Sequence, residues 1–562
     1  MASPELETAA PSATAPPEVV LTPKISPRWA LSLPHVGVCL LFVGLFLTAN
    51  HLPLFFSDLW GHVSYGHWIL EHRELPAEDP FVPLAEGVTF HDSAWLSQVI
   101  FALVEKRGGA EALSGLYAAV VLATYLVFWR MSYVLTSRLW LSVAGMALVM
   151  VLASSRVLVI RPEIFAVFCC AVLLWTLAGP RRSAVDPPVE TTRLWFAASL
   201  CVVPVMMAAW ANLHGSFVVG IAILGCHLLG RMVDVFLATR SLSAVFYDRW
   251  TRRWLVLTEL GAAATLLNPY GIDLWLSTLT FGKNPNLQTV LEWQPLSMQV
   301  PEAFRYIFAA VLGIVVVRHS PRRMRSAEVL LLAVFAAAVV FASRMMTWYA
   351  AVFVAVLLPH AAAALATRWP AFVKPLPPVR ELGGGLVGPS FRHTAACVAI
   401  VWVGFALSSF ATPLLGGLPK TPAQLYHPDT PLGISEYLRE HPPEGQVWNP
   451  QWWGDWLVWA GPKRWQPFMT TMSVHAAPPQ VWTDYERIAQ AEPGWPNLLD
   501  KYDVQTVVVD KTQQPRLNEL IRSGPNWKVV YEDEQGAVLE LQPVPAEKSV
   551  ADDETAATPA GA

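Results

Sequence analysis

Between Ser57 and Gln98 the chain gathers Asp58, His62, His67, Asp79, His91 and Asp92 among aromatic residues, immediately after a long apolar run. Carboxylates and imidazoles crowded at the edge of an apolar segment are the groups that abstract protons or steady a developing positive charge. Transfer of a sugar from a lipid phosphate needs such a carboxylate, either to deprotonate the acceptor or to stabilise an oxocarbenium-like centre. Asp58 stands first after the run, where a lipid headgroup would lie. The competing reading is a helix cap, because Leu59 to Arg73 has helical spacing and Asp is a favoured N-cap. Asp79, ahead of Pro80, is either a second acid or an ordinary turn former. With Asp58 it makes a carboxylate pair able to hold a divalent cation, Mg or Mn, that bridges a donor phosphate. His91 can bind phosphate or orient an acid, and Asp92 or Ser93 can cap the short helix that follows.

Further along, Arg161 and Arg344 each sit at the edge of an apolar run. Cations at that depth are costly and tend to be functional. A guanidinium also matches a phosphate with two parallel donors, although snorkelling to lipid headgroups is the plain alternative. His214, in a tight turn beside Asn212 and Gly215, and Glu292, after a long loop, complete the candidates for substrate binding. His62 and His67 are five apart, a poor spacing for a metal on a helix, and read as packing. Asn268-Pro269-Tyr270-Gly271 reads as a helix stop.

These residues are embedded in a chain of 562 positions, 54% apolar and 15% charged, against about 25% charged in an ordinary soluble domain. Mean hydropathy is +0.39. The composition predicts an integral membrane protein. A net charge of −4 and a pI near 6.4 leave no basic patch and argue against nucleic acid as a partner. All six cysteines fall in apolar runs, which predicts no disulfide framework and no zinc site.

A crossing helix needs about 20 apolar residues. Eleven candidates centre on 34–54, 110–131, 137–155, 162–179, 194–212, 216–237, 254–270, 303–318, 326–343, 346–366 and 393–412, with 94–105 as a shorter interfacial helix. With the N-terminus in the cytoplasm, one set of turns collects the cation clusters from Arg130 and Arg138 through Arg181, Arg182, Arg231, Arg249, Arg322 and Arg325 to Arg368, Lys374, Arg380 and Arg392. The other side receives scattered cations such as Arg73, Arg156, Arg161, Lys283 and Arg344. That asymmetry predicts an N-in topology. It places the 56–98 loop, Arg161, His214, Glu292, Arg344 and everything after about Thr412 outside. Residues 1–30 and 546–562, rich in Pro, Ala, Ser and Thr, are expected to be disordered, and no signal-peptide pattern opens the chain.

From Pro413 the composition becomes soluble. Leu432–Glu440 has helical spacing, 446–449 and 505–510 read as strands, and 527–531 with 537–541 as a hairpin. A small α/β domain over 413–545 is the expectation. Six tryptophans fall between Trp448 and Trp465, suited to sugar stacking, to a membrane belt or to a core.

Several strings resemble a large group of bacterial polytopic proteins. They are Asp58-Leu59-Trp60-Gly61-His62, Gly66-His67-Trp68-Ile69-Leu70-Glu71-His72, Asp79-Pro80-Phe81, Arg161-Pro162-Glu163, Asn212-Leu213-His214-Gly215, Asn268-Pro269-Tyr270-Gly271 and Glu292-Trp293-Gln294-Pro295. That group looks like the GT-C superfamily, multi-spanning glycosyltransferases that use polyprenyl-phosphate sugar donors. The resemblance runs from about Asp58 to Leu541. It implies a GT-C-like α-helical polytopic membrane fold, a bacterial inner-membrane location with a periplasmic C-terminal domain, and an acid in the first outer loop, Asp58, as the catalytic carboxylate. Asp79 and His91 would support it, and Arg161, His214, Arg344 and Glu292 would bind substrate. The acceptor would be a glycan, a lipid or a protein. Walker loops, G-x-S-x-G, HExxH and dinucleotide fingerprints are absent from the sequence. A non-catalytic envelope scaffold and a transporter or flippase are the rivals. Few ionisable residues inside the spans and no internal repeat weigh against transport.

Overall fold

A computed structural model describes residues 30–154, 159–179, 189–368 and 390–542. Most of residues 1–30, all of 546–562, and Arg156, Arg181, Arg182, Lys374 and Arg380 lie outside the described residues.

Every one of the eleven apolar runs is helical. Five helices are long and apolar enough to cross a membrane by length and composition: Leu33–Asn50, Trp95–Thr136, Arg193–Leu213, Phe217–Thr239 and Ser343–Arg368. Shorter apolar helices occupy Leu139–Leu152, Glu163–Ala178, Ser326–Phe341 and Phe391–Ala406. Large apolar side chains stay exposed on many of them, such as Phe304, Val311 and Ile314 on Pro301–His319. In water such a surface would be costly; against lipid tails it is the expected exterior. The protein is a polytopic α-helical membrane protein.

The short helix expected over 94–105 and the span expected over 110–131 are continuous as Trp95–Thr136, but the backbone breaks at Gly109 (φ 63°, ψ −167°). That left-handed value is open to glycine at little cost, so the run turns from one segment into the next without ending.

The chain divides into two compact units, one of Met1–Val43 with Leu376–Val403, the other of Gly44–Pro375 with Gly404–Ala562. In the first, Leu31 bridges Ser390 and donates to Thr394 Oγ1 at 3.0 Å. The second holds the helices around the 57–98 loop and the C-terminal sheet.

That sheet has five strands: β1 (Gln446–Trp448), β2 (Gln466–Pro467), β3 (Val504–Asp510), β4 (Trp527–Glu532) and β5 (Gly536–Leu541), in the order β2-β1-β3-β5-β4. β1 runs parallel to β2 and β3, while β5 is antiparallel to β3 and β4. The expected strands and hairpin are present. The helices Gln451–Ala460 and Pro479–Ala489 join Leu432–Glu440 to cover it. Trp448, Trp482, Val507, Val509, Leu517, Ile521 and Leu539 form its core, and Leu84 and Val290 from the membrane part pack against that core.

The tryptophan-rich segment is therefore structural. Trp448, Trp453 and Trp456 are buried, and Trp456 and Trp459 meet the buried Trp60 at ring distances of 5.1 and 4.2 Å. This aromatic contact seats the Gln451–Ala460 helix on the Leu59–His72 helix.

Candidate active site

Asp58 occupies the N-cap position of the Leu59–His72 helix, yet its side chain makes no capping hydrogen bond. Its Oδ2 instead lies 2.8 Å from Arg161 Nε. Arg161 stands just before the Glu163–Ala178 helix, and its other guanidinium arm is 3.6 Å from Glu292 Oε2. Glu292 Oε1 in turn lies 3.3 Å from Arg344 Nη1. Four charges from four separate loops thus alternate in one line: Asp58, Arg161, Glu292, Arg344. Their side chains are 18–30% exposed, so the line borders solvent and a ligand can reach it.

Local structure holds each member. Glu292 is in a single helical turn, Leu291–Trp293, whose Glu292 carbonyl accepts from Ser343 Oγ at 3.2 Å. The Ser343 amide donates to Gln294 O at the same distance, so the Glu292 and Arg344 loops are laced together. The Arg344 guanidinium lies over the Trp293 ring, 4.2 Å from its centre, a cation–π contact that keeps the fork in place.

Behind this line the 57–98 loop folds into a buried polar network. Gln98 Nε2 donates to Asp92 Oδ1 at 3.0 Å and lies 3.2 Å from His62 Nδ1. Asp92 also accepts from the Ala94 amide at 3.0 Å, a local turn ahead of the helix; the N-cap position is Ala94, and no side chain caps it. Burial raises the Asp92 carboxyl to about 7 and lowers His62 to about 4, although Asp58 pulls His62 the other way. The later landmarks close on this network. Trp95 Nε1 donates to Asn212 Oδ1, Ser97 Oγ to Leu213 O, and the Asp92 amide to the Tyr270 hydroxyl.

Among the remaining candidates, Asp79 Oδ1 accepts from the amides of Phe81 and Val82 at 2.9 and 3.3 Å, the turn geometry expected before Pro80. His91 stands edge-on to Tyr270. His214 Nδ1 is 2.8 Å from Ser216 Oγ and lies within electrostatic reach of His62. Among the described residues no group of three or more His, Cys, Asp or Glu is gathered to hold a metal. The neighbour of Asp58 is a guanidinium, so the residues present do not fit a divalent cation on Asp58 and Asp79.

Two groups of the C-terminal domain reach the same place. Asp455, on the Gln451–Ala460 helix, is fully buried. Its Oδ2 accepts from the Thr471 hydroxyl and amide, while Oδ1 has no partner. A Cβ on Gly61 would lie 2.8 Å from its carboxyl carbon, so the absent side chain at Gly61 is what admits it. Burial, with Asp58 adding to it, raises Asp455 to about 8. His475 is stacked on Phe281 with ring centres 4.4 Å apart. Sequence reasoning missed both. An acid inside an otherwise apolar tryptophan-rich helix was a signal for Asp455; for His475 there was none.

The sequence matches no protein-family model, and no curated protein matches it. Solved structures do. The arabinofuranosyltransferase AftD from Mycobacteria superposes with a TM-score of 0.51 at 15% identity, over 92% of this chain and 40% of AftD. The oligosaccharyltransferase of Archaeoglobus fulgidus superposes with a TM-score of 0.51 at 13% identity, over 85% of this chain and 69% of that one. This chain thus spans under half the length of AftD. The likeness is one of fold: the chain has a GT-C-like fold.

Proposed function

We propose that this protein is a membrane glycosyltransferase that moves a sugar from a polyprenyl-phosphate donor to an acceptor outside the cytoplasm of a bacterium, at the inner membrane. The observation that carries this is the line Asp58–Arg161–Glu292–Arg344 at the edge of apolar helices. Two guanidiniums about one carboxylate can take the two oxygens of a phosphate as bidentate partners. Asp58, held by Arg161, lies beside that phosphate, where an anomeric carbon would follow. Its carboxylate is suited to steadying the oxocarbenium-like centre as the phosphate departs.

A small apolar crevice of about 20 Å³ lies close in sequence to Arg161. It is lined by Val120, Val121, Thr124, Tyr125, Glu163, Ile164 and Val167, and so begins two residues from Arg161. The GT-C-like fold agrees with this chemistry without establishing it.

The test is turnover in nanodiscs with radiolabelled polyprenyl-phosphate glucose, mannose and arabinofuranose, wild type beside Asp58→Asn. Sugar transfer or release by wild type, lost in the mutant with folding intact, is the expected result. Equal turnover by the two would reject Asp58, and no turnover by a well-folded wild type would favour a scaffold.

A further inference from the structure

The carboxylate of Asp58 is engaged by Arg161, so the proton of an acceptor hydroxyl needs another group to take it. The C-terminal domain supplies a different group. His475 lies in the short helical turn Ser473–Ala476 and is exposed to solvent, yet protein surrounds it closely enough to hold its imidazole down to about 4. The surrounding protein acts first on that imidazole, then the nearby charge of Arg344, with His62 adding to it and Asp58 opposing. Neither ring nitrogen has a hydrogen bond among the described residues, so both are available to a ligand.

Its placement is built rather than incidental. Asn284 Nδ2 donates to Val474 O at 2.9 Å, and the buried Asn286 donates to Val474 O and Ala477 O at 3.3 and 3.0 Å. Ala476 and Met472 pack into the loop core of Tyr65, Val82, Ala85 and Phe90. The ring itself continues an aromatic series: Arg344 over Trp293, Trp293 edge-on to Phe281 at 5.1 Å, and Phe281 stacked on His475. The same rings therefore hold the phosphate-binding arginine and the imidazole.

We propose that His475 is the catalytic proton acceptor of this site, taking the proton of the acceptor's hydroxyl during sugar transfer. The inference rests on the transferase reading and names the base within it. In the step, the hydroxyl oxygen forms a bond to the anomeric carbon as the bond from that carbon to the phosphate oxygen breaks. The electron pair stays on the phosphate, between Arg161 and Arg344. The hydroxyl proton passes to a free imidazole nitrogen and from there to water once the product has left. An imidazole that is neutral at neutral pH is in the form a base requires.

The experiment uses the full-length protein in nanodiscs with the three donors named above, comparing wild type, His475→Ala and His475→Gln, with thermal midpoints read for each. The expected result is a kcat lower by about 100-fold in both variants, at an unchanged donor KM, since a general base is worth 10²–10⁴-fold. Added imidazole should restore His475→Ala by at least about tenfold, and methylated imidazoles should do so in order of their basicity. A structural role would not produce that series. Turnover by wild type with an active His475→Gln, or an inactive His475→Ala that imidazole fails to restore, overturns this inference alone. No turnover by wild type overturns it together with the transferase reading.

Discussion

Glu292 holds two arginines at once, at 3.6 and 3.3 Å, and all three side chains are partly exposed. Ion pairs of that kind add about 0–1 kcal/mol each, because water and salt screen them. Stability therefore does not account for four charges drawn from four distant loops; the anion recognition proposed for them does. Glu292→Gln should move the thermal midpoint little, by less than about 1 kcal/mol in stability, as a melt in nanodiscs would show. Arg344→Lys should be felt differently. Lysine keeps the charge but gives up the planar fork and most of the contact over Trp293. Donor KM is expected to rise about tenfold with kcat nearly held, which is about 1.4 kcal/mol of binding. An equal fall of kcat instead would show that Arg344 acts on the departing phosphate alone. Asp58, Arg161 and Arg344 were legible as candidates because a charge at the end of an apolar run is conspicuous, and Glu292 as an acid after a long loop. What the sequence withheld was their order in space, since only the fold brings residue 58 within reach of residues 161 and 292.

The Leu59–His72 helix is the element on which the site turns. One side of it carries Asp58 and His62 toward the site, and its first turns receive Asp455 at Gly61 and the tryptophans at Trp60. Docking of the Gln451–Ala460 helix here buries a carboxyl whose proton affinity is raised from 3.8 to about 8. The docked form thus holds a proton that the undocked form has released between those two values. By linkage docking weakens as pH rises from about 4 to about 8 and is level above that. The effect amounts to a few kcal/mol across the window. Asp455→Asn, which is neutral at every pH, should flatten this dependence and raise the thermal midpoint at pH 8. The check is a pH series of melts; a variant that keeps the wild-type slope would place the proton elsewhere, with Asp92 the next buried acid. Gly61→Ala should oppose docking at all pH values, because the methyl would collide with the Asp455 carboxyl.

At the scale of the molecule, hydropathy located the helices well, since lipid imposes long apolar runs that composition alone displays. Strands β1, β3, β4 and β5 were equally plain from their β-branched and alternating residues. The Gln451–Ala460 helix was not, because Trp452, Trp453, Trp456 and Trp459 suit a belt, a glycan platform or a core alike, and only burial decides among them. The sheet domain reads in sequence as an appendage, yet it carries His475 and Asp455 to a site whose other residues lie before Met345. The assembly of that site hence depends on a contact between segments some 400 positions apart, seated by Trp60. Truncating a buried tryptophan costs about 3–5 kcal/mol where the surroundings cannot collapse. Trp60→Ala should spend that loss locally: amide hydrogen exchange should rise across 451–477 while Phe217–Thr239 and Ser326–Phe341 keep their protection. Sugar transfer should fall with it, while the polyprenyl-phosphate binding proposed for Arg161 and Arg344 should persist. Uniform loss of protection would mean that the two parts fold as one, and unchanged transfer would mean that the docked domain contributes nothing to the chemistry.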